Sequence, residues 1–196
     1  MIHKHNKTLL KRMLILYVAA LFLLMLAFIF DYDVLGLTTR AQNPFLIGFF
    51  YDITLLGEPC VFVFIALALA LILMFYRRPI IAFILALVSS EIVEVAIKAI
   101  VQRPRPFEYL NTTSIIPTQL SSFPSGHAII FFAMIPMLSK NFPKIKWIFW
   151  VVAILVGLSR IYLEVHYLSD VLAGAIIGYS IGLLFLKLEE KYAWKY

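Results

Sequence analysis

Residues 80–106 read IIAFILALVSSEIVEVAIKAIVQRPRP. The stretch begins with nine wholly apolar residues, 80–88, and then carries Glu91, Glu94 and Lys98 among further Val, Ile and Ala. About 20 mainly apolar residues are needed to cross a bilayer as a helix. Residues 80–100 have that length, yet three charges would make a poor membrane helix unless they face a protein interior. The stretch therefore predicts a bundle of spanning helices with a polar site inside it, and it leaves that helix through Arg103-Pro104-Arg105-Pro106.

Five more segments extend this reading to both sides. Residues 13–30 and 59–76 are clean apolar runs, 126–139 and 147–163 are short, and 168–187 has full length. The composition agrees, with 63% hydrophobic residues, 14% charged residues and a mean hydropathy of +0.94. Soluble domains carry about 25% charged residues, so a soluble enzyme, a disordered chain and a nucleic-acid-binding domain are all excluded. A single cysteine, Cys60, excludes an internal disulfide framework and a cysteine-based zinc cluster. The basic start followed by an apolar run resembles a signal peptide, but the run is too long and lacks an A-x-A site, so it is expected to be a retained span. The expectation is an all-α, polytopic membrane protein: one domain over 1–196, a six-helix bundle, with the chemistry within 98–170.

Sidedness follows from the basic residues. With the N-terminus inside, one side holds Lys4, Lys7, Lys11, Arg12, Arg77, Arg78, Lys140, Lys144, Lys146, Lys187, Lys191 and Lys195. The other holds Arg40, Lys98, Arg103, Arg105 and Arg160. This places both termini in the cytoplasm and makes the net charge of +6 a topology signal rather than a nucleic-acid patch. The outer connection 31–58 contains Asn43-Pro44, an N-cap followed by a first helical position. Phe45, Phe49, Ile53 and Leu56 follow at helical spacing, as expected of a short interfacial helix or of a packed connecting helix. Asn111-Thr112-Thr113, also outside, matches a glycosylation acceptor.

Alternating spans bring three clusters to the non-cytoplasmic face: Lys98 to Pro106, Phe123-Pro124-Ser125-Gly126-His127, and Ser159-Arg160 through His166 to Asp170. Lys98, Arg105 and Arg160 supply positive charge and donors suited to phosphoryl oxygens. Ser125 and Gly126 stand at a helix start, where free N–H groups favour an anion, and Pro124 suits the opening of that helix. His166 and Asp170 are four apart, so on a helix they share a face. The carboxylate would hold one ring nitrogen protonated and leave the other free to attack. His127 is the candidate general acid. Glu94, four residues before Lys98, is a candidate supporting residue, and Arg103-Pro104 a neighbouring decoy.

The three clusters together resemble the type 2 phosphatidic acid phosphatase (PAP2) family. Its signature is Lys, six residues, Arg-Pro; then Pro-Ser-Gly-His; then Ser-Arg, five residues, His, three residues, Asp. Here these are Lys98 with Arg105-Pro106, Pro124-Ser125-Gly126-His127, and Ser159-Arg160 with His166 and Asp170. The resemblance implies a six-helix bundle and phosphate hydrolysis with no metal and no cofactor. It implies His166 as nucleophile, Asp170 orienting it and His127 protonating the leaving group. Lys98, Arg105, Ser125, Gly126 and Arg160 would hold the phosphoryl oxygens. The expected substrate is a polyprenyl (undecaprenyl-type) diphosphate, with phosphatidylglycerophosphate, phosphatidic acid and lipid A phosphate as alternatives. A catalytically silent lipid-phosphate binder or transporter is the alternative of another class, though it needs neither the His166–Asp170 couple nor a second histidine.

Overall fold

The computed structural model describes residues 2–75, 80–116 and 121–192, with side chains at position 11 and from 14 onward within those ranges. Arg77, Arg78 and Lys195 of the charge count lie outside the described residues, as do the side chains of Lys4, Lys7 and Arg12. Among the described residues all regular structure is helical. In order come α1 (Ile2–Ala41), α2 (Pro44–Thr54), a 3-10 turn (Leu55–Gly57), α3 (Pro59–Phe75), α4 (Ile80–Val101), α5 (Pro106–Tyr109), α6 (Gly126–Asn141), α7 (Lys146–Tyr162) and α8 (Leu168–Tyr192).

Each of the six expected apolar segments lies on one of these helices, to within a residue at the ends. By length and composition, three described helices could cross a membrane: α1, α4 and α8. A fourth span would come from joining α2 and the 3-10 turn to α3, a pair bent by 57°. Large apolar side chains such as Phe22, Ile29, Phe64, Phe75 and Ile92 stand exposed on α1, α3 and α4. Continuous exposed apolar surface of this kind is a membrane surface.

Helix α6 is the centre. It is largely buried, although its own sequence shows no strongly polar face, because α4, α7 and α8 surround it. The closest neighbour is α8, and the reason is three glycines four residues apart. A Cβ on Gly174, Gly178 or Gly182 would fall 2.6, 2.0 and 2.1 Å from the carbonyl oxygens of Ser125, Ile129 and Ala133. Small residues in one stripe let helix backbones approach where lipid supplies no hydrophobic drive between helices. This packing fixes the start of α6 against the start of α8, where the Ser125 N–H donates to the Asp170 carbonyl at 3.0 Å.

Helix α2 begins as its sequence predicts, with Pro44 in the first turn and the Asn43 side chain accepting from the Leu46 N–H at 3.0 Å. It packs on α7, with Phe50 and Tyr162 rings 4.6 Å apart. Phe45 stays 80% exposed, while Ile53 and Leu56 turn toward the core. Pro124 lies just before α6, after a cis Phe123-Pro124 bond, and Ser125 is the N-cap.

Candidate functional site

The three sequence clusters meet at one cavity of about 640 Å³. Its charged end is lined by Lys98 and Glu94 of α4, Arg105, Gly126 and His127 of α6, Arg160 of α7, and His166. Its other walls are mainly apolar, with Phe62 and Val63 of α3, Leu87 and Val88 of α4, and Ile130, although Glu58 and Glu91 line it too. Lys98, Arg105 and Arg160 are all buried. Three buried cations at one place are costly unless anions accompany them.

The cations are held in different ways. Lys98 Nζ pairs with Glu94 Oε1 at 2.6 Å, the expected one-turn pair. Arg105 donates to the Val165 carbonyl at 2.8 Å and so braces the loop carrying His166. Arg160 donates to the hydroxyl of fully buried Thr54, while its Nε has no partner. Two further buried polar atoms lack partners here: Ser125 Oγ and His127 Nε2. A serine N-cap ordinarily accepts from its own helix; Ser125 does not. Glu91, expected to face inward, lines the cavity yet stays exposed.

His166 is not on a helix shared with Asp170, as the four-residue spacing suggested. It lies in the turn between α7 and α8, two residues before α8 begins. The turn is closed by Glu164 at φ +57° and by the Val165 and His166 N–H groups donating to the Arg160 carbonyl at 3.2 Å. The nearest oxygen to the ring is also not the carboxylate. His166 Nδ1 is 2.7 Å from the Ser122 carbonyl and 3.6 Å from Asp170 Oδ2. A carbonyl only accepts, so Nδ1 carries the hydrogen and Nε2 the lone pair. Burial, reinforced by the charges of Arg160 and Arg105 and opposed by Asp170, pushes the His166 pKa down to about 3. The imidazole is therefore neutral at physiological pH, as a nucleophile requires.

Asp170 is fully buried and engaged elsewhere. It accepts from the Tyr167 N–H at 2.8 Å, from the Ser122 hydroxyl, and from Arg103 at 2.6 Å. Arg103, the apparent decoy, thus belongs to the site. Thr54, Gly57, Ser122 and Asp31 are likewise part of it and carry no motif. A Cβ on Gly57 would fall 2.1 Å from His127 Cδ2, so the bend between α2 and α3 supplies the wall behind that ring.

Residues 79–194 match the PAP2 superfamily. The chain belongs to it. Among curated relatives, the undecaprenyl-diphosphatase of Sulfolobus acidocaldarius is 35% identical over 131 residues, 62% of this chain and 61% of the relative. The chain thus spans about three fifths of that relative's length. The phosphatidylglycerophosphatase B of Bacillus subtilis is 29% identical over 163 residues, 76% of this chain and 78% of the relative. Among solved PAP2 structures, a transmembrane phosphatidylglycerolphosphate phosphatase from Bacillus subtilis superposes with a TM-score of 0.73. That superposition has 25% identity and covers 89% of this chain and 96% of the other. This PAP2 chain is a membrane protein.

Proposed function

We propose that the chain is a lipid phosphatase that works through a phosphohistidine on His166, and that its substrate is a polyprenyl diphosphate, released as monophosphate and inorganic phosphate. The observation that carries this reading is the cavity itself. Its charged end has three buried cations, two histidines and unpartnered polar atoms on His127 and Arg160, and it continues into apolar walls on α3 and α4. Such a shape suits a phosphorylated headgroup with its chain left in the bilayer. The relative named an undecaprenyl-diphosphatase supports the choice of lipid.

The chemistry follows from the positions. His166 Nε2 attacks phosphorus, and the bond from phosphorus to the lipid-side oxygen breaks. His127 gives that oxygen its proton. Water then attacks the phosphohistidine and breaks the P–N bond. Its proton returns to His127, and inorganic phosphate leaves. Lys98, Arg105, Arg160, the Ser125 hydroxyl and the N–H groups opening α6 hold the phosphoryl oxygens through both displacements. The bond cleaved in a diphosphate is a phosphoanhydride, and fixed donors and cations around the transferring phosphoryl group are usually the largest single source of rate acceleration.

In the membrane, α1, α3, α4, α6, α7 and α8 are the six spans, with α2 lying at the outer interface. Both termini are then cytoplasmic and the cavity opens on the non-cytoplasmic side. The deciding experiment measures phosphate release by purified protein in detergent with EDTA, comparing wild type with His166→Ala. Polyprenyl diphosphate, phosphatidylglycerophosphate, phosphatidic acid and lipid A phosphate serve as substrates. Release by wild type alone, fastest on the diphosphate, is expected. Equal release by the variant would remove the phosphohistidine. Faster turnover of a glycerolipid or lipid A would replace the substrate, and binding without release would make the chain a lipid-phosphate binder.

A further inference from the structure

Asp31 and Asp170 are both fully buried carboxylates, on α1 and α8, and one guanidinium lies between them. Arg103 Nη1 donates to Asp170 Oδ1 at 2.6 Å and to the Ser169 hydroxyl at 2.7 Å. Its Nη2 donates to Asp31 Oδ2 at 2.7 Å. Asp31 also accepts from the Ser169 N–H at 2.9 Å and from the Ser169 hydroxyl. The guanidinium is covered by the Tyr167 ring, with Cζ 4.0 Å from its centroid, and by Phe28 at 5.4 Å. Two aromatic rings thus flank a guanidinium that stays 18% exposed, while both carboxylates it joins are buried. The motif spacing selects Arg105 and passes over Arg103, and Asp31 lies outside the residues that match the family.

From this geometry we infer that Asp31 and Arg103 are positioning residues for the hydrolysis, acting on His166 through Asp170. The inference rests on the phosphohistidine reading. When Nε2 is phosphorylated, the ring gains positive charge while Nδ1 keeps its hydrogen. Asp170, 3.6 Å from Nδ1, is a carboxylate placed beside that charge. An arginine given wholly to Asp170 would cancel that anion. Asp31 takes the other half of the fork, so the trio Asp31, Arg103 and Asp170 keeps one net negative charge beside the ring. The same contacts anchor α1 to the first turn of α8, just after the turn that carries the nucleophile. A group bonded directly to a metal's ligand alters affinity or activity by about 10–100-fold; Asp31 reaches His166 through two intervening residues, so its effect falls at or below the low end of that range.

The test uses the full chain in detergent with polyprenyl diphosphate as substrate and orthovanadate as a probe of the phosphate site. Asp31→Asn should lower kcat by up to about 10-fold, less than Asp170→Asn, with KM and vanadate inhibition unchanged. Arg103→Lys should recover part of what Arg103→Met loses, because an ammonium keeps the charge but not the two-ended fork. Ser169→Ala keeps all three charges and removes the hydroxyl that bonds both Arg103 and Asp31. It should fold even where Asp31→Asn does not, and should show a smaller fall in kcat alone. An unchanged kcat in Asp31→Asn or, where that variant does not fold, in Ser169→Ala would overturn the inference. So would a loss shared equally by kcat, vanadate affinity and Tm, the mark of a merely structural tie. Wild type that binds vanadate but releases no phosphate would instead bring down the phosphatase reading, and this inference with it.

Discussion

The Ser122 backbone carbonyl, not the Asp170 carboxylate, receives the hydrogen of His166 Nδ1: 2.7 Å separates the first pair and 3.6 Å the second. A main-chain oxygen cannot be removed by substitution or titrated. The tautomer that exposes Nε2 therefore persists when the carboxylate is altered.

Asp170→Asn should accordingly reduce kcat by about 10–100-fold, well short of the roughly 10⁴-fold seen where the buried aspartate alone sets the tautomer. His166→Ala should abolish turnover while vesicle-bound lipid is still retained. Steady-state phosphate release from both variants checks this. A collapse of Asp170→Asn to the level of His166→Ala would show that the carboxylate, not Ser122, holds the ring.

The Glu94 carboxylate lies against Gly126, where an added Cβ would meet it at 2.1 Å, and it pairs with Lys98 at 2.6 Å. It is therefore an anion held at the place proposed for the phosphoryl group. Glu94→Gln should tighten inhibition by orthovanadate, by about 10-fold if the gain is about 1.4 kcal/mol, because Lys98 loses its internal partner. Weaker vanadate inhibition in that variant would mean that Glu94 supports the site by orienting Lys98.

The close approach of α6 and α8 predicts a contrast between two glycines. Gly178→Ala places a Cβ 2.0 Å from the Ile129 carbonyl oxygen, a backbone atom that cannot step aside. Overpacking of this kind costs about 1–3 kcal/mol, or several degrees of Tm at this size. Gly36→Ala on α1 meets nothing within 4 Å and should raise stability by about 0.5–1 kcal/mol through helix propensity. Thermal denaturation of the two variants in detergent measures both.

His166 also predicts a pH dependence of stability. Its pKa falls from the ordinary 6.5 to about 3 in the fold. Between those values the unfolded chain binds a proton that the native chain does not, so this contribution to stability rises with pH through that window and is complete above about 6.5. His166→Asn removes the titration. Its Tm should fall less steeply than that of wild type between pH 6.5 and 4, and parallel curves would contradict the buried neutral imidazole.

The charged groups inside an apolar run at 91–98, and the three motifs from Lys98 to Asp170, were legible because charge in a lipid-facing helix is too unfavourable to be incidental and because motif spacing is local. The same holds for the start of α2, where Asn43 and Pro44 act within one turn. What Arg103 does was not legible. Its partners are 72 residues before it and 67 after it, and Arg103-Pro104 read alone duplicates Arg105-Pro106. Thr54 and Gly57 carry no chemical signal of their own; they matter because a bend between two helices presses them on Arg160 and His127. The sequence by itself determined the membrane class, the all-helical fold and the residues able to meet a phosphate, since burial energetics and helical spacing act along the chain. Only the tertiary structure decided which oxygen holds His166 and which carboxylates share Arg103, because hydrogen bonds depend on directions that arise when α1, α6 and α8 pack together.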